Sequence, residues 1–122
     1  MVDNNLLNVE KMLSSPSFFD FLKNIDIDSV LDSRDLKTFD FEWMTNFKRL
    51  ENDTFSKDDL DFIDKLREKS FKLAFRVVND SEISSRISDD IEIIAKDILS
   101  GNDSGWPVRY LWQSYKNGVF PC

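Results

Sequence analysis

Apolar residues recur at helical spacing along most of the chain. The longest stretch free of Gly and Pro is Ser56–Val78, SKDDLDFIDKLREKSFKLAFRVV. Ser56 stands where an N-cap belongs, and Asp58, Asp59 and Asp61 follow it, where the positive end of the helix dipole favours carboxylates. Basic residues (Lys65, Arg67, Lys69, Lys72, Arg76) take over toward the other end, and Asp61–Lys65 and Glu68–Lys72 are acid-first pairs four apart. Leu60, Ile63 and Leu66 give the early turns one apolar face. From Phe71 the apolar residues Leu73, Ala74, Phe75, Val77 and Val78 wrap most of the circumference. A helix apolar all round is a buried helix, so the pattern predicts the C-terminal half of this element as the core. At 1.5 Å per residue it spans about 33 Å, the width of a small domain.

The flanking segments read as further helices. Asn5–Leu13 carries Leu6, Val9, Met12 and Leu13 at helical spacing. Ser15 and Pro16 mark a new start, because Pro is welcome at the first helical position, and Phe18, Phe19, Leu22 and Ile25 supply that helix's apolar side. Ile25–Leu36 reads as a short turn or a single helical turn between Asp-rich connectors. Lys37–Leu50 carries two patterns: Phe39, Phe41 and Trp43 alternate like a strand, whereas Trp43, Met44, Phe47 and Leu50 repeat like a helix. The helix accounts for more residues, with Asp40 as cap; a small hairpin with Ile25 and Ile27 is the alternative. Asn79–Ser81 breaks the central helix, and Ile83, Ile87, Ile91, Ile94 and Ile98 then form an amphipathic stripe. Gly101 suits a helix C-terminus. Pro107 opens a last helix with Val108, Leu111, Trp112 and Tyr115 inward; Gly118 closes it, and Phe120 should tuck against the body. The expectation is an all-α fold, one compact domain over residues 1–122 with about six helices around a buried central helix, the alternative being α with one small β-hairpin.

Composition agrees with this. An apolar content of 41% with 11 Phe argues against disorder despite 32% charged residues, and only three glycines leave little room for the turns of an all-β fold. The single cysteine, Cys122, allows no internal disulfide. The opening MVDNNLLNVEKM lacks the basic and apolar regions of a signal peptide, and no apolar run is long enough to span a membrane. These features predict a cytoplasmic protein without membrane partners.

Charge is unevenly placed. The net value is −7, yet residues 1–64 hold 15 acids and 7 bases while residues 65–122 hold 8 acids and 9 bases. Direct nucleic-acid binding is disfavoured, since affinity there depends on Lys and Arg neutralising phosphates. Such a surface suits solubility, and it also draws a basic partner by electrostatic steering.

Tests for catalytic chemistry fail. The absence of histidine removes the commonest general base and metal ligand together with any Ser-His-Asp or Cys-His arrangement. Cys122 alone cannot build a zinc site. Asp26-Ile27-Asp28-Ser29-Val30-Leu31 begins like a calcium loop but fails at Val30, at Leu31 where glycine is required, and at Lys37 where a bidentate Glu belongs. Asp58-Asp59-Leu60-Asp61 with Asp64, and Asn79-Asp80-Ser81-Glu82, resemble in outline the paired Mg²⁺ motifs of helical terpenoid synthases. Phe62 stands where an Asp should, however, and the chain is far too short for such an enzyme. Helix capping accounts for Asp58 and Asp59 without a metal. The reading is therefore of a protein that is not an enzyme, with no catalytic residue, no metal and no cofactor. Among the aromatics, Trp43 and Trp112 suit core packing. Trp106, before Pro107 in a polar loop, suits either a hydrophobic staple onto the last helix or an exposed interface anchor.

The stretch Gly105–Pro121, GWPVRYLWQSYKNGVFP, together with the acidic, single-domain character of a chain without catalytic machinery, resembles a small bacterial immunity protein. The type is the one encoded beside the toxic C-terminal domains of contact-dependent growth inhibition systems. The resemblance is of overall style and transfers no residue by position. It implies an antitoxin that neutralises a cognate toxin domain, typically a basic nuclease such as an RNase, by presenting carboxylates where substrate phosphates would sit. The first candidate toxin-binding surface is Glu51, Asp53, Asp58, Asp59, Asp61 and Asp64, with Trp106 as a candidate anchor; the second is Asp26, Asp28, Asp32 and Asp35. Two other classes compete: a helical adaptor or regulatory module that binds through an apolar groove, and a carboxylate-based hydrolase or Mg²⁺ enzyme.

Overall fold

A computed structural model describes residues 3–122; Met1 and Val2, which open the stretch read as lacking a signal peptide and the predicted 1–122 domain, lie outside it. The fold is all-α, with six α-helices and no strand among the described residues, so the hairpin alternative falls away. In chain order the elements are α1 (Asn4–Leu13), a 3₁₀ segment (Asp20–Asn24), α2 (Ile27–Arg34), α3 (Lys37–Glu51), α4 (Lys57–Val78), α5 (Ser81–Leu99), a π-helical segment (Pro107–Trp112) and α6 (Gln113–Lys116).

Four helices begin on a side-chain cap that satisfies an orphan N–H. Asp3, Asp26, Ser56 and Asp80 accept from the backbone N–H groups of Asn5, Ser29, Asp59 and Ile83, at 2.7, 3.1, 3.1 and 2.9 Å. Asp40 is not among them. Helix α3 starts earlier than expected, behind Leu36, which makes no side-chain cap bond, and Asp40 lies inside the first turn where its charge meets the helix dipole.

The core forms around α5 and not around the second half of α4. Ile83, Ile87, Ile91, Ile93, Ile94 and Ala95 are at most 1% exposed. Helix α4 packs antiparallel along α5 and also meets the 3₁₀ segment and α1, burying Phe62, Ile63, Leu66, Ser70 and Ala74. Its Leu60 is exposed, whereas the neighbouring Phe62 is buried. Around Ala74 the expectation fails: Phe75 is 37% exposed and Leu73, Val77 and Val78 are only partly covered. Apolar residues wrap that half of the helix, but α5 covers one side only, and Phe71 and Phe75 stack on each other with ring centroids 6.1 Å apart. The two helices join through Asn79 in the left-handed conformation (φ 53°), which Asn tolerates better than most residues. Asp61 pairs backward with Lys57 (3.1 Å) rather than forward with Lys65, while Glu68–Lys72 forms as expected at 2.6 Å.

Two other segments differ from the pattern reading. Pro16 does not open an α-helix; residues 15–25 run through turns into the 3₁₀ segment, with three-residue bonds such as Leu22 N–H to Phe19 C=O (3.0 Å). A three-residue period eclipses Phe19, Leu22 and Ile25 on one side, and the first two are buried. Ile25–Leu36 holds a two-turn helix where one turn at most was expected. Its inner stripe is Ile27, Val30, Leu31 and Arg34, the i, i+3, i+4, i+7 spacing completed by a charged residue. Pro107 does open the final helical run, whose first six residues are π-helical and bury Leu111 and Trp112. Gly101, at φ 77°, follows the end of α5 in a conformation that disfavours residues with a Cβ. Phe120 is buried, as expected.

Candidate functional site

The first acidic group gathers where α3 ends and α4 begins. Glu51 is the last residue of α3, Asp53 lies in the connecting loop, and Asp58, Asp59, Asp61 and Asp64 occupy the first two turns of α4. All are exposed except Asp59, which is partly covered. Asp53 accepts a hydrogen bond from Ser100 Oγ (2.8 Å), tying the loop to the end of α5, and Lys57 neutralises Asp61. Asp53 and Asp59 line a shallow depression with Phe55, Leu99 and Ser100. The second group lies on α2: Asp26 caps it, Asp28 and Asp32 face solvent, and Asp35 follows its end, 4.0 Å from Arg86.

Trp106 does not join the first group. It packs against the opposite end of α3, with its ring centroid 5.4 Å from Phe39 and stacked on Tyr110 at 5.4 Å and 9°. Phe39 and Glu51 are twelve residues apart on one helix, about 18 Å along its axis. Trp106 therefore packs inward as a staple does, and the face it leaves open lines a groove with Leu36, Phe39 and Tyr110.

Between these surfaces lies a buried ionic junction that the sequence pattern did not reveal. Arg34 makes a bidentate pair with Asp90, Nη1 to Oδ2 at 2.9 Å and Nη2 to Oδ1 at 2.7 Å. Trp43 Nε1 donates to Asp90 Oδ1 (2.8 Å) and Tyr115 Oη to Asp90 Oδ2 (2.5 Å), so four donors surround one carboxylate. Arg34 Nη1 also donates to the Pro121 carbonyl (3.0 Å), and the guanidinium lies 4.5 Å from the Phe39 ring and 5.2 Å from that of Phe120. Burial works against charge on Arg34, but the contact with Asp90 outweighs it and holds the guanidinium firmly protonated. Burial, and then Asp90, push the Tyr115 hydroxyl well above its ordinary range. This junction joins α2, α3, α5, α6 and the C-terminal tail.

A second buried carboxylate, Asp97, meets Arg49 at 2.9 Å and Asn102 at 3.4 Å. Burial raises it from its ordinary value, and Arg49 partly offsets that. Gly105 sits against the same carboxylate so closely that a Cβ there would come 2.8 Å from Asp97 Oδ2 and 2.5 Å from Asn102 Nδ2. On the other side of α5, Arg67 bridges Asp89 (2.7 Å) and Glu92 (3.0 Å). Each of these buried or half-buried acids has a basic partner, an arrangement suited to holding helices together. Among the described residues no group of three acids or cysteines converges to hold a metal ion, and no helix is long and apolar enough to cross a membrane.

Sequence reasoning also missed the exposed apolar side chains at the start of α3. Leu36 is 64% and Phe41 68% exposed. A signal was present for Phe41: of the two aromatics left out of the helical set, Phe39 lies four residues before Trp43 and turns inward, which leaves Phe41 without a place on that face.

Comparison with curated proteins returns no match. A family model described as "Immunity protein PIM1" matches residues 8–122, from the middle of α1 through the C-terminal tail. The match spans nearly all of the helical framework, including both acidic groups, the buried junction and the aromatic groove, and on that ground the chain belongs to the PIM1 immunity protein family.

Proposed function

We propose that this immunity protein neutralises a basic nuclease toxin, an RNase being the favoured case, by binding it through an acidic surface that occludes its substrate cleft. It acts as one helical domain over residues 1–122 in the cytoplasm, by binding and not by catalysis, in a contact-dependent growth inhibition setting. The family supports the binding of a cognate toxin. The observation that carries the nuclease reading is the concentration of exposed carboxylates at Glu51, Asp53, Asp58, Asp61 and Asp64, with Lys57 as the only base between residues 51 and 64. A cleft that binds phosphates is basic, and a surface of carboxylates both attracts it and competes for it.

The test is a pull-down from the source cell's lysate with tagged protein at low salt, followed by a salt-wash series and mass spectrometry. One basic toxin domain in near-equimolar amount, released by salt or denaturant, is the expected result. A neutral or acidic toxin without nuclease activity would remove the nuclease reading. Recovery of a housekeeping complex would favour the adaptor.

A further inference from the structure

The buried Arg34 guanidinium uses only part of its donor set within the fold. Both hydrogens of Nη1 are taken, by Asp90 Oδ2 at 2.9 Å and the Pro121 carbonyl at 3.0 Å, and Nη2 donates to Asp90 Oδ1 at 2.7 Å. The other hydrogen of Nη2 and the Nε–H project side by side from the remaining edge of the planar group. Nε is the only buried side-chain nitrogen or oxygen without a hydrogen-bond partner among the described residues, and its side chain is 4% exposed. Buried donors are nearly always paired in native folds, so an orphan on a side chain held this firmly marks a place for a partner that the chain does not supply.

The open edge faces a cleft. Trp43 Nε1 donates to Asp90 Oδ1, the oxygen that Nη2 holds, so Trp43 lies on the same edge of the guanidinium as Nε. Arg34 and Trp43 together line a cleft of about 140 Å³, whose other walls include Asp40, Arg86 and Asp89. Drug-sized ligands occupy about 300–1,000 Å³, so this cleft suits the end of one side chain. Its two carboxylates have acceptor capacity to spare. Asp40 makes no ion pair among the described residues. Asp89 gives Oδ1 to Arg67, which leaves Oδ2.

The lining selects the chemistry of the occupant. An anion would meet Asp40 and Asp89, while a cation would meet Arg86 and has no lone pair for the Nε–H. A hydroxyl brings a single hydrogen to two carboxylates. A primary carboxamide brings a carbonyl oxygen and two N–H donors, which match one donor edge set between two acceptors. We infer that this cleft binds a primary carboxamide, the end group of Asn or Gln. Its carbonyl oxygen accepts from the Nε–H edge of Arg34 and its NH₂ donates to Asp40 and Asp89. In the antitoxin reading proposed above that side chain belongs to the toxin, but the chemistry of the cleft is independent of that reading.

The test follows the ¹H–¹⁵N side-chain signal of Arg34 Nε in the labelled full chain as acetamide is added, with N-methylacetamide, acetate and methylammonium in parallel titrations. Acetamide should move the signal along a saturating curve with a Kd of about 100 mM or tighter, a value within reach of so small a ligand. Asp40→Ala should weaken that binding about tenfold, the loss of one hydrogen bond to a charged group. Asp103→Ala, which removes an exposed acid from the loop after α5, should leave it within about twofold. Both variants should unfold near the parent's midpoint, because Asp40 and Asp103 are exposed. A signal that does not saturate with acetamide, or that saturates at lower concentrations of acetate or methylammonium, overturns the inference, as do equal effects of the two variants. N-methylacetamide has one N–H and should bind more weakly; equal binding would assign the cleft to a peptide bond and overturn the side-chain assignment. A pull-down that recovers no toxin would count against the antitoxin reading and leave the acetamide titration as it stands.

Discussion

Asp90 lies at the centre of the helical assembly with a full set of four donors around its carboxylate, from Arg34, Trp43 and Tyr115. Replacing such a pair by apolar groups can be nearly neutral, whereas removing one partner leaves the other charge buried without compensation. Asp90→Asn keeps the shape and removes the charge opposite Arg34, whose Nε already lacks a partner. The expected cost is about 3–5 kcal/mol, a large part of the roughly 5–15 kcal/mol that stabilises a domain of this size. Tyr115→Phe removes one charge-assisted bond and should cost less, about 1.5–3 kcal/mol. Urea unfolding midpoints check both; a loss under about 1 kcal/mol for Asp90→Asn would mean that the junction is dispensable. A trace of this junction was present in the sequence, although the sequence reading passed over it. Asp90 and Asp97 lie three residues after Ile87 and Ile94, which places both acids on the inner face of the isoleucine stripe. An acid on a buried face demands a basic partner, but the sequence could not say that Arg34, 56 residues away, is the one for Asp90.

At the scale of elements, α4 and α5 show what periodicity conveys and what it omits. The α5 stripe was readable because its isoleucines keep to one face and the helix buries that face. In α4 the apolar density after Phe71 was just as visible, but density alone does not say whether a neighbour covers each side. The same gap explains α2, where Arg34 fills an inner position that an apolar pattern cannot register, and the 3₁₀ segment, whose three-residue period appears only once Phe19 and Leu22 are seen stacked inward. The packing predicts a sharp contrast between two truncations. Ile91→Ala should cost about 2–5 kcal/mol, because the cavity opens at a position 1% exposed. Phe75→Ser should cost under about 1 kcal/mol, since the side chain is 37% exposed and lies outside the core cluster. Thermal or urea unfolding of the two variants measures the difference, and comparable losses would restore the second half of α4 to the core.

For the whole molecule the informative quantity is where charge sits relative to apolar surface. The acidic bias of the first half was legible from the sequence, as were the two carboxylate groups on and beside α2 and α4. Where exposed apolar side chains would lie was not, because that depends on α3 carrying Phe41 outward while Trp106 arrives from the far end of the chain. The Glu51–Asp64 group lies where α3 ends and α4 begins, beside the end of α5. A carboxylate group outside the contact itself acts through the field, which changes the rate of encounter more than the lifetime of the complex. Asp58→Lys with Asp61→Lys moves the net charge from −7 to −3 without touching the core. Toxin association should slow by about tenfold at low ionic strength, and the dependence of the rate on salt should flatten, with dissociation nearly unchanged. Stopped-flow association across a salt series reads both quantities. An association rate and salt slope equal to the parent's would remove this group from steering. A large rise in dissociation would instead place Asp58 and Asp61 within the contact itself.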